Sequence, residues 1–359
     1  MKVAIVHDWL VTNAGAEKVL RSILNIYPDA EIFSLVDFLS PEERDIIIDG
    51  KKVHTSFIQK LPYAKKHFRN YLPLFPKAIE SFDLSAYDLI ISSSWAVAKG
   101  VKKSPHQIHV SYCHTPIRYA WDLYDEYTQD LPWLKKIMVQ KILKYIRKWD
   151  IATVDRVDYF IANSKFVQER IKRIYNREAT VIYPPVNIDI FTLNEAKEDF
   201  YLTASRLVPY KKTKLIVEAF NKMPDKKLVV IGSGEEYDSI ETIANSNVKI
   251  LGYQSDEVLI STMQKAKGFI YAAIEDFGII PIEAMACGTP VIALNKGGTK
   301  ETIINKTTGI HFEEQTQKSI IDAIKRFEKL DLNPSVIRNE AAKYTHFEQE
   351  LRSFITRIY

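Results

Sequence analysis

The chain predicts an α/β fold in two domains, each built on a parallel sheet, and three observations predict it. Short apolar runs alternate with stretches of helical period, which calls for parallel strands joined by helical crossovers. The alternation falls into two sets, separated by Tyr183-Pro-Pro-Val-Asn-Ile-Asp189-Ile-Phe, whose double proline stiffens a connection that cannot continue a helix. With 359 residues, 46% apolar and 11% aromatic, there is material for two cores. The expected division is 1–188, 189–340 and a terminal segment 341–359.

The first set opens with a strand from Val3, a polar loop, and an amphipathic helix beginning near Ala16. Similar alternation recurs at His109-Val-Ser-Tyr-Cys and Tyr159-Phe-Ile-Ala-Asn. The second set opens at Tyr201-Leu-Thr-Ala. Helix Leu215 to Asn221, strand Leu228 to Ile231, helix Ile240 to Asn245, strand Val248 to Leu251 and helix Glu257 to Ala266 follow. The apolar run Gly268 to Ile274 reads as a buried strand. Gly278 permits a tight turn, and Ile279 to Ala286 reads as a helix closed by Gly288 and Pro290. Leu351, Phe354, Ile355 and Ile358 give the last segment a near-helical spacing.

Composition excludes several classes of function. A net charge of +4 from 49 basic and 45 acidic residues is too balanced to argue for nucleic acid as a partner. Two cysteines, Cys113 and Cys287, in predicted buried positions point to a reducing compartment, with the cytoplasm as the default. The start of the chain lacks the features of a secretory signal, and no run of about 18 apolar residues suits a membrane span.

The most informative stretch is Glu275-Asp-Phe-Gly-Ile-Ile-Pro-Ile-Glu283-Ala-Met-Ala-Cys-Gly-Thr-Pro. It puts two carboxylates around a turn that opens a helix. Backbone N–H groups near Ile279 and Ile280 can face a diphosphate, because helix N-termini attract anions, and a carboxylate such as Glu283 can accept hydrogen bonds from ribose hydroxyls. The run through Val291-Ile-Ala-Leu and Gly297-Gly-Thr-Lys-Glu301 resembles the signature of retaining glycosyltransferases of family 4. Their paired glutamates, with seven residues between them, match Glu275 and Glu283. The resemblance implies the GT-B fold: two Rossmann-like doubly wound domains facing across a cleft, the first binding the acceptor and the second the nucleotide sugar. It also implies a C-terminal helix crossing back to the first domain. In this reading Glu275 holds the donor sugar and serves in catalysis, Glu283 binds the ribose, and Phe277, Gly278, Ile279 and Ile280 complete the donor-binding turn.

Arg206 and Lys211, in Arg206-Leu-Val-Pro-Tyr-Lys211-Lys-Thr, place two cations in one strand-to-helix loop, where they can bracket a diphosphate. The pair resembles the family's Arg-Leu-x-x-x-Lys clamp. Lys212 stands where many members have Gly, which leaves open whether Lys211 or Lys212 reaches the phosphate. Gly232-Ser-Gly234 reads equally as a plain turn or as a ligand contact. Gly15 falls where the family often has Gly-Gly-Ala-Glu and admits the donor; Ala14 departs from that pattern by one methyl. His114 follows a strand at its carboxyl end, where open α/β sheets bind ligands. His114-Thr-Pro-Ile-Arg-Tyr-Ala-Trp-Asp122 resembles members that add mannose in bacterial surface polysaccharide assembly. The resemblance implies that His114 binds a sugar hydroxyl and supports developing charge.

With no Asp-x-Asp pair in the chain, the expectation is no metal and no cofactor, the nucleotide sugar being a substrate. From Leu131 to Asp150 the chain carries Leu134, Met138, Ile142, Tyr145, Ile146 and Trp149 on one helical stripe, with Lys135, Lys136, Lys141, Lys144, Arg147 and Lys148 elsewhere. Such a basic amphipathic helix either covers the core or touches anionic headgroups. The reading is a hexosyltransferase moving mannose from GDP-mannose onto a lipid-linked saccharide, peripheral to the inner face of the plasma membrane. A UDP-hexose donor and an inactive scaffold in a polysaccharide assembly complex are its competitors.

Overall fold

The computed structural model describes residues 1–129 and 131–359. It divides into two compact units, one of Met1–Pro185 with Phe347–Tyr359 and the other of Val186–His346. The double proline at 184–185 ends the first unit's main segment.

The first unit is built on seven parallel strands: β1 (Val3–His7), β2 (Glu31–Ser34), β3 (Val53–Thr55), β4 (Leu89–Ser94), β5 (Ile108–Cys113), β6 (Tyr159–Ala162) and β7 (Ala179–Val181). Their order is β3-β2-β1-β4-β5-β6-β7, and every pairing is parallel. All residues of β1 and β4 are buried, as befits central strands with both faces covered. Ile5, Ile91, Val110 and Tyr112 pack on one face with Val19, Leu20 and Ile23 of the helix Gly15–Ile26. The last helix, Phe347–Ile358, adds Phe347, Leu351, Phe354 and Ile355 to the same core. The expected spacing thus supplies a face buried within the first unit.

The second unit has six parallel strands: β8 (Glu198–Ala204), β9 (Leu228–Ile231), β10 (Val248–Ile250), β11 (Ala266–Tyr271), β12 (Val291–Leu294) and β13 (Gly309–Phe312). The order is β10-β9-β8-β11-β12-β13. Tyr201, Val230, Ile270, Ile292 and Phe312 meet Ile216, Phe220, Ile320 and Ile324 of the covering helices. In both sheets the strand order reverses once, at β1/β4 and at β8/β11. Such switch points leave a crevice at the carboxyl ends of the strands, the place where open α/β sheets take ligands.

The helix Trp133–Ala152 departs from the expected stripe. Leu134, Met138 and Tyr145 are exposed, whereas Leu143, Ile146 and Asp150 are buried. The buried positions follow three- and four-residue spacing and are confined to the second half of the helix. The first half keeps Trp133, Leu134, Ile137 and Met138 in solvent, with Trp133 70% exposed. No helix among the described residues is long and apolar enough to cross a membrane.

Candidate functional site

In the second unit the sequence-selected residues gather at the β8/β11 switch point. Arg206 and Lys211 lie in the loop after β8, and Glu275 to Gly278 in the loop after β11. Lys211 Nζ donates to Glu275 Oε1 in a close ion pair and lies 3.5 Å from the Tyr271 hydroxyl. Burial pushes the Tyr271 phenol far up, helped by the Glu275 charge, so Tyr271 keeps its proton. Arg206 is exposed, and its guanidinium donates to the Tyr210 hydroxyl at 3.2 Å. The geometry places Lys211, not Lys212, at Glu275. Lys212 sits at φ 59° and ψ 27°, a left-handed conformation that Gly adopts without penalty, which explains why Gly suits this position.

The helix Ile279–Ala286 starts at Gly278, which has φ 84° and no side chain to cap the first turn. Pro281 has no N–H to satisfy, so the Ile279 and Ile280 amides are the donors that open this helix. Glu283 stands one turn further along and is buried to 8% exposure.

Two glycine pairs missed as site residues hold these loops in place. A Cβ on Gly298 would lie 2.1 Å from the Phe277 carbonyl oxygen, and one on Gly297 would meet the Glu275 carbonyl oxygen. Gly298 N also donates to that oxygen at 2.8 Å. Gly297-Gly298 is therefore the floor against which the Glu275–Gly278 turn is folded. Likewise, a Cβ on Gly232 would run into the Ser205 carbonyl and one on Gly234 into the Leu207 carbonyl, while Leu207 N donates to Ser233 O at 2.8 Å. The Gly232-Ser-Gly234 turn earns its glycines by packing on the loop that carries Arg206.

In the first unit, His7 ends β1 and Ser93 lies beside it on β4. His7 Nδ1 is 3.1 Å from Ser93 Oγ, and His114 Nε2 is 2.8 Å from the same oxygen. The Trp95 ring meets both imidazoles edge-on, with centroids at 4.8 Å and 5.6 Å. Burial, reinforced by His7, pulls the His114 pKa down to about 3, so its ring is neutral at ordinary pH. It can hydrogen-bond a hydroxyl but carries no charge. Gly15 is the first residue of the helix Gly15–Ile26, preceded by Ala14, whose methyl accepts nothing. The Ala14 N–H is taken by Glu17 Oε2 at 3.1 Å.

Thr115, Ala120, Trp121 and Asp122 of the 114–122 motif are anchors. Arg170 donates to Thr115 Oγ1 at 2.6 Å and pairs with Asp122, Trp121 Nε1 donates to Asp150 Oδ2 at 2.8 Å, and Arg147 donates to the Ala120 carbonyl. Asp8 has a structural task too: its carboxylate accepts the N–H groups of Trp95, Ala96, Val97 and Ala98 at 2.6–2.8 Å. Cys113 is buried at the end of β5. Ser93 escaped the sequence reading; the signal was the polar tail Ser92-Ser93-Ser94 on an otherwise apolar strand.

A family model described as "Glycosyltransferase Family 4" matches residues 32–190, and one described as "Glycosyl transferases group 1" matches residues 187–344. A D-inositol 3-phosphate glycosyltransferase of Mycobacteroides abscessus is 28% identical over 196 residues, 48% of this chain and 44% of that protein. A GDP-mannose-dependent monoacylated alpha-(1-6)-phosphatidylinositol monomannoside mannosyltransferase of Corynebacterium glutamicum is 29% identical, over 42% of this chain and 48% of its own. The chain spans about half the length of the curated relatives it matches. The crystal structure of Anabaena HepE in complex with UDP superposes with a TM-score of 0.71 at 18% identity, covering 99% of this chain and 100% of that one. Signature, sheet order and matched models together place the chain in glycosyltransferase family 4, with the GT-B fold.

Proposed function

We propose that the protein is a retaining glycosyltransferase that moves mannose from GDP-mannose onto a lipid-linked glycan in the making of a cell-surface polysaccharide. The observation that carries the transfer chemistry is the grouping of Arg206, Lys211, Glu275 and the uncapped helix Ile279–Ala286 at one switch point. Fixed donors aimed at a departing diphosphate stabilise the charge that develops there. Lys211 exchanges Glu275 for a phosphate oxygen when donor binds, which frees the carboxylate for sugar hydroxyls. Glu283 takes the ribose, and Phe277 and Gly278 shape the turn. Gly15 and His114 are the sugar-binding residues this reading assigns within the first unit. The mannose assignment is supported by the 114–122 motif and by the Corynebacterium relative's name.

The reading includes no metal, because Arg206, Lys211 and the helix amides supply the positive charge. Turnover of a panel of nucleotide sugars, measured with and without EDTA, tests both parts. GDP-mannose is expected to be used fastest, and its use is expected to survive chelation. Loss on chelation with recovery in magnesium or manganese would establish a metal site, and absence of turnover with every donor would favour a scaffold.

The helix Trp133–Ala152 is proposed to lie against the anionic inner face of the plasma membrane. Exposed Trp133, Leu134, Ile137 and Met138 precede exposed Lys141, Lys144 and Lys148 on this helix, so apolar insertion and headgroup attraction are available together. Each basic residue near such a surface contributes about 1 kcal/mol, screened by salt. Replacing Lys135, Lys141, Lys144 and Lys148 by Ala is expected to abolish co-sedimentation with phosphatidylserine vesicles at low salt. Unchanged sedimentation would show that the lysines are only solvated.

A further inference from the structure

At the carboxyl edge of the first sheet, β1 is followed by Asp8-Trp9 and β4 by Trp95, and one carboxylate fixes both turns. Asp8 accepts the Trp95 N–H at 2.6 Å and the Ala96 N–H at 2.8 Å. The two indoles are held against each other, with ring centroids 5.1 Å apart and planes at 86°. Trp95 reaches on to His114 at 5.6 Å, and the Arg69 guanidinium lies 5.7 Å from the Trp9 ring centre. Arg69, Trp9, Trp95 and His114 thus form a continuous row. Phe68 and Phe75 brace Trp9 from the core, with centroids at 5.5 Å and 6.2 Å, yet both indoles stay half-buried and Arg69 is exposed. Partly exposed aromatic rings gathered in one place mark a binding surface.

The segment that carries Arg69 sets the charge at that end. No acidic residue stands between Asp49 and Glu80, whereas Lys60, Lys65, Lys66, Arg69 and Lys77 do, all of them exposed. Glu80 itself is taken by Trp149 Nε1 and Arg156, each at 2.8 Å. A guanidinium stacked on Phe68 at 4.6 Å as well as on Trp9 presents its planar fork from a fixed place, which suits a phosphate. The indoles offer the other kind of contact, since the apolar C–H face of a pyranose ring sheds water against an aromatic surface. We propose that this row binds a saccharide carrying a phosphate or diphosphate group. Its sugar rings lie on Trp9 and Trp95 toward His114, and its phosphate meets Arg69, Lys65 and Lys66. That this saccharide is the acceptor of the hexose rests on the function proposed above; the binding site does not.

Calorimetric titration of the full-length protein tests this with three probes: a disaccharide joined through diphosphate to a short alkyl chain, the same disaccharide as an uncharged alkyl glycoside, and inorganic pyrophosphate. The charged saccharide is expected to bind about tenfold or more tightly than the uncharged one, the scale of one hydrogen bond to a charged group. Arg69→Ala is expected to remove that difference. Trp9→Phe, which keeps a ring on Phe68 and Phe75, is expected to weaken both saccharides and leave pyrophosphate unchanged. Equal binding of the two saccharides overturns the proposal, as does a difference that persists in Arg69→Ala. Arg69-dependent binding of pyrophosphate as tight as that of the charged saccharide also overturns it, because the site would then be one for free anions. An Arg69→Ala protein that loses phosphatidylserine vesicles but keeps the charged saccharide would make the row a membrane contact instead. No donor enters these titrations, so a protein that binds the saccharide but transfers no hexose refutes the proposed function and leaves this site standing.

Discussion

The Arg206→Ala protein is expected to fold normally, bind nucleoside diphosphates weakly and turn over donor roughly 10²-fold more slowly, the scale for losing one preorganised contact to developing charge. Arg206 is exposed and its side chain holds only the Tyr210 hydroxyl, so truncating it removes little that supports the fold. Lys211→Ala differs in kind. Its ammonium neutralises Glu275, and its removal leaves that carboxylate without this partner at the place proposed for the diphosphate. The loss in donor affinity is therefore expected to be at least as large as for Arg206→Ala. Donor titrations by calorimetry and steady-state rates check both variants. Normal kinetics in a folded Arg206→Ala protein would remove the diphosphate clamp from the account.

The second large effect is expected from Gly298→Ala, one methyl placed outside the reacting groups. Its Cβ would stand 2.1 Å from the Phe277 carbonyl oxygen and 2.4 Å from the Phe277 Cα. Backbone cannot step aside as a side-chain tip can, so the Glu275–Gly278 turn must move. Overpacking of this sort costs about 1–3 kcal/mol, and the displaced turn carries Glu275 and the first amides of the helix Ile279–Ala286. Thermal unfolding is expected to shift down, and nucleoside diphosphate binding to fall more than stability alone explains. A variant with both properties intact would show that this turn tolerates displacement.

Much of this was legible in the residues because local chemistry and tertiary role coincide there. Gly278 before an apolar helix announces an uncapped N-terminus, and the helix limits Ile279–Ala286 match the expected ones. The strand Leu228–Ile231 also falls where its apolar run puts it. What escaped depends on neighbours distant in the chain. Ser93 meets His7 only through the β1/β4 pairing, and Gly298 meets Phe277 only because two loops fold together. The helix Trp133–Ala152 shows the converse: its periodicity was readable, but which face is buried is set by where Ile146 meets Ile117 and Ala120, not by hydrophobicity alone.

The central claim is transfer of a hexose with retention, and the most direct measurement is the anomeric configuration of the new linkage. The protein is incubated with GDP-mannose and a lipid-linked saccharide, and the product is assigned by NMR. The account predicts an α-linked mannose, the configuration of the donor. Faster use of a UDP-hexose, still giving an α linkage, would change the donor and leave the chemistry standing. A β-linked product would contradict the mechanism built on Arg206, Lys211 and Glu275.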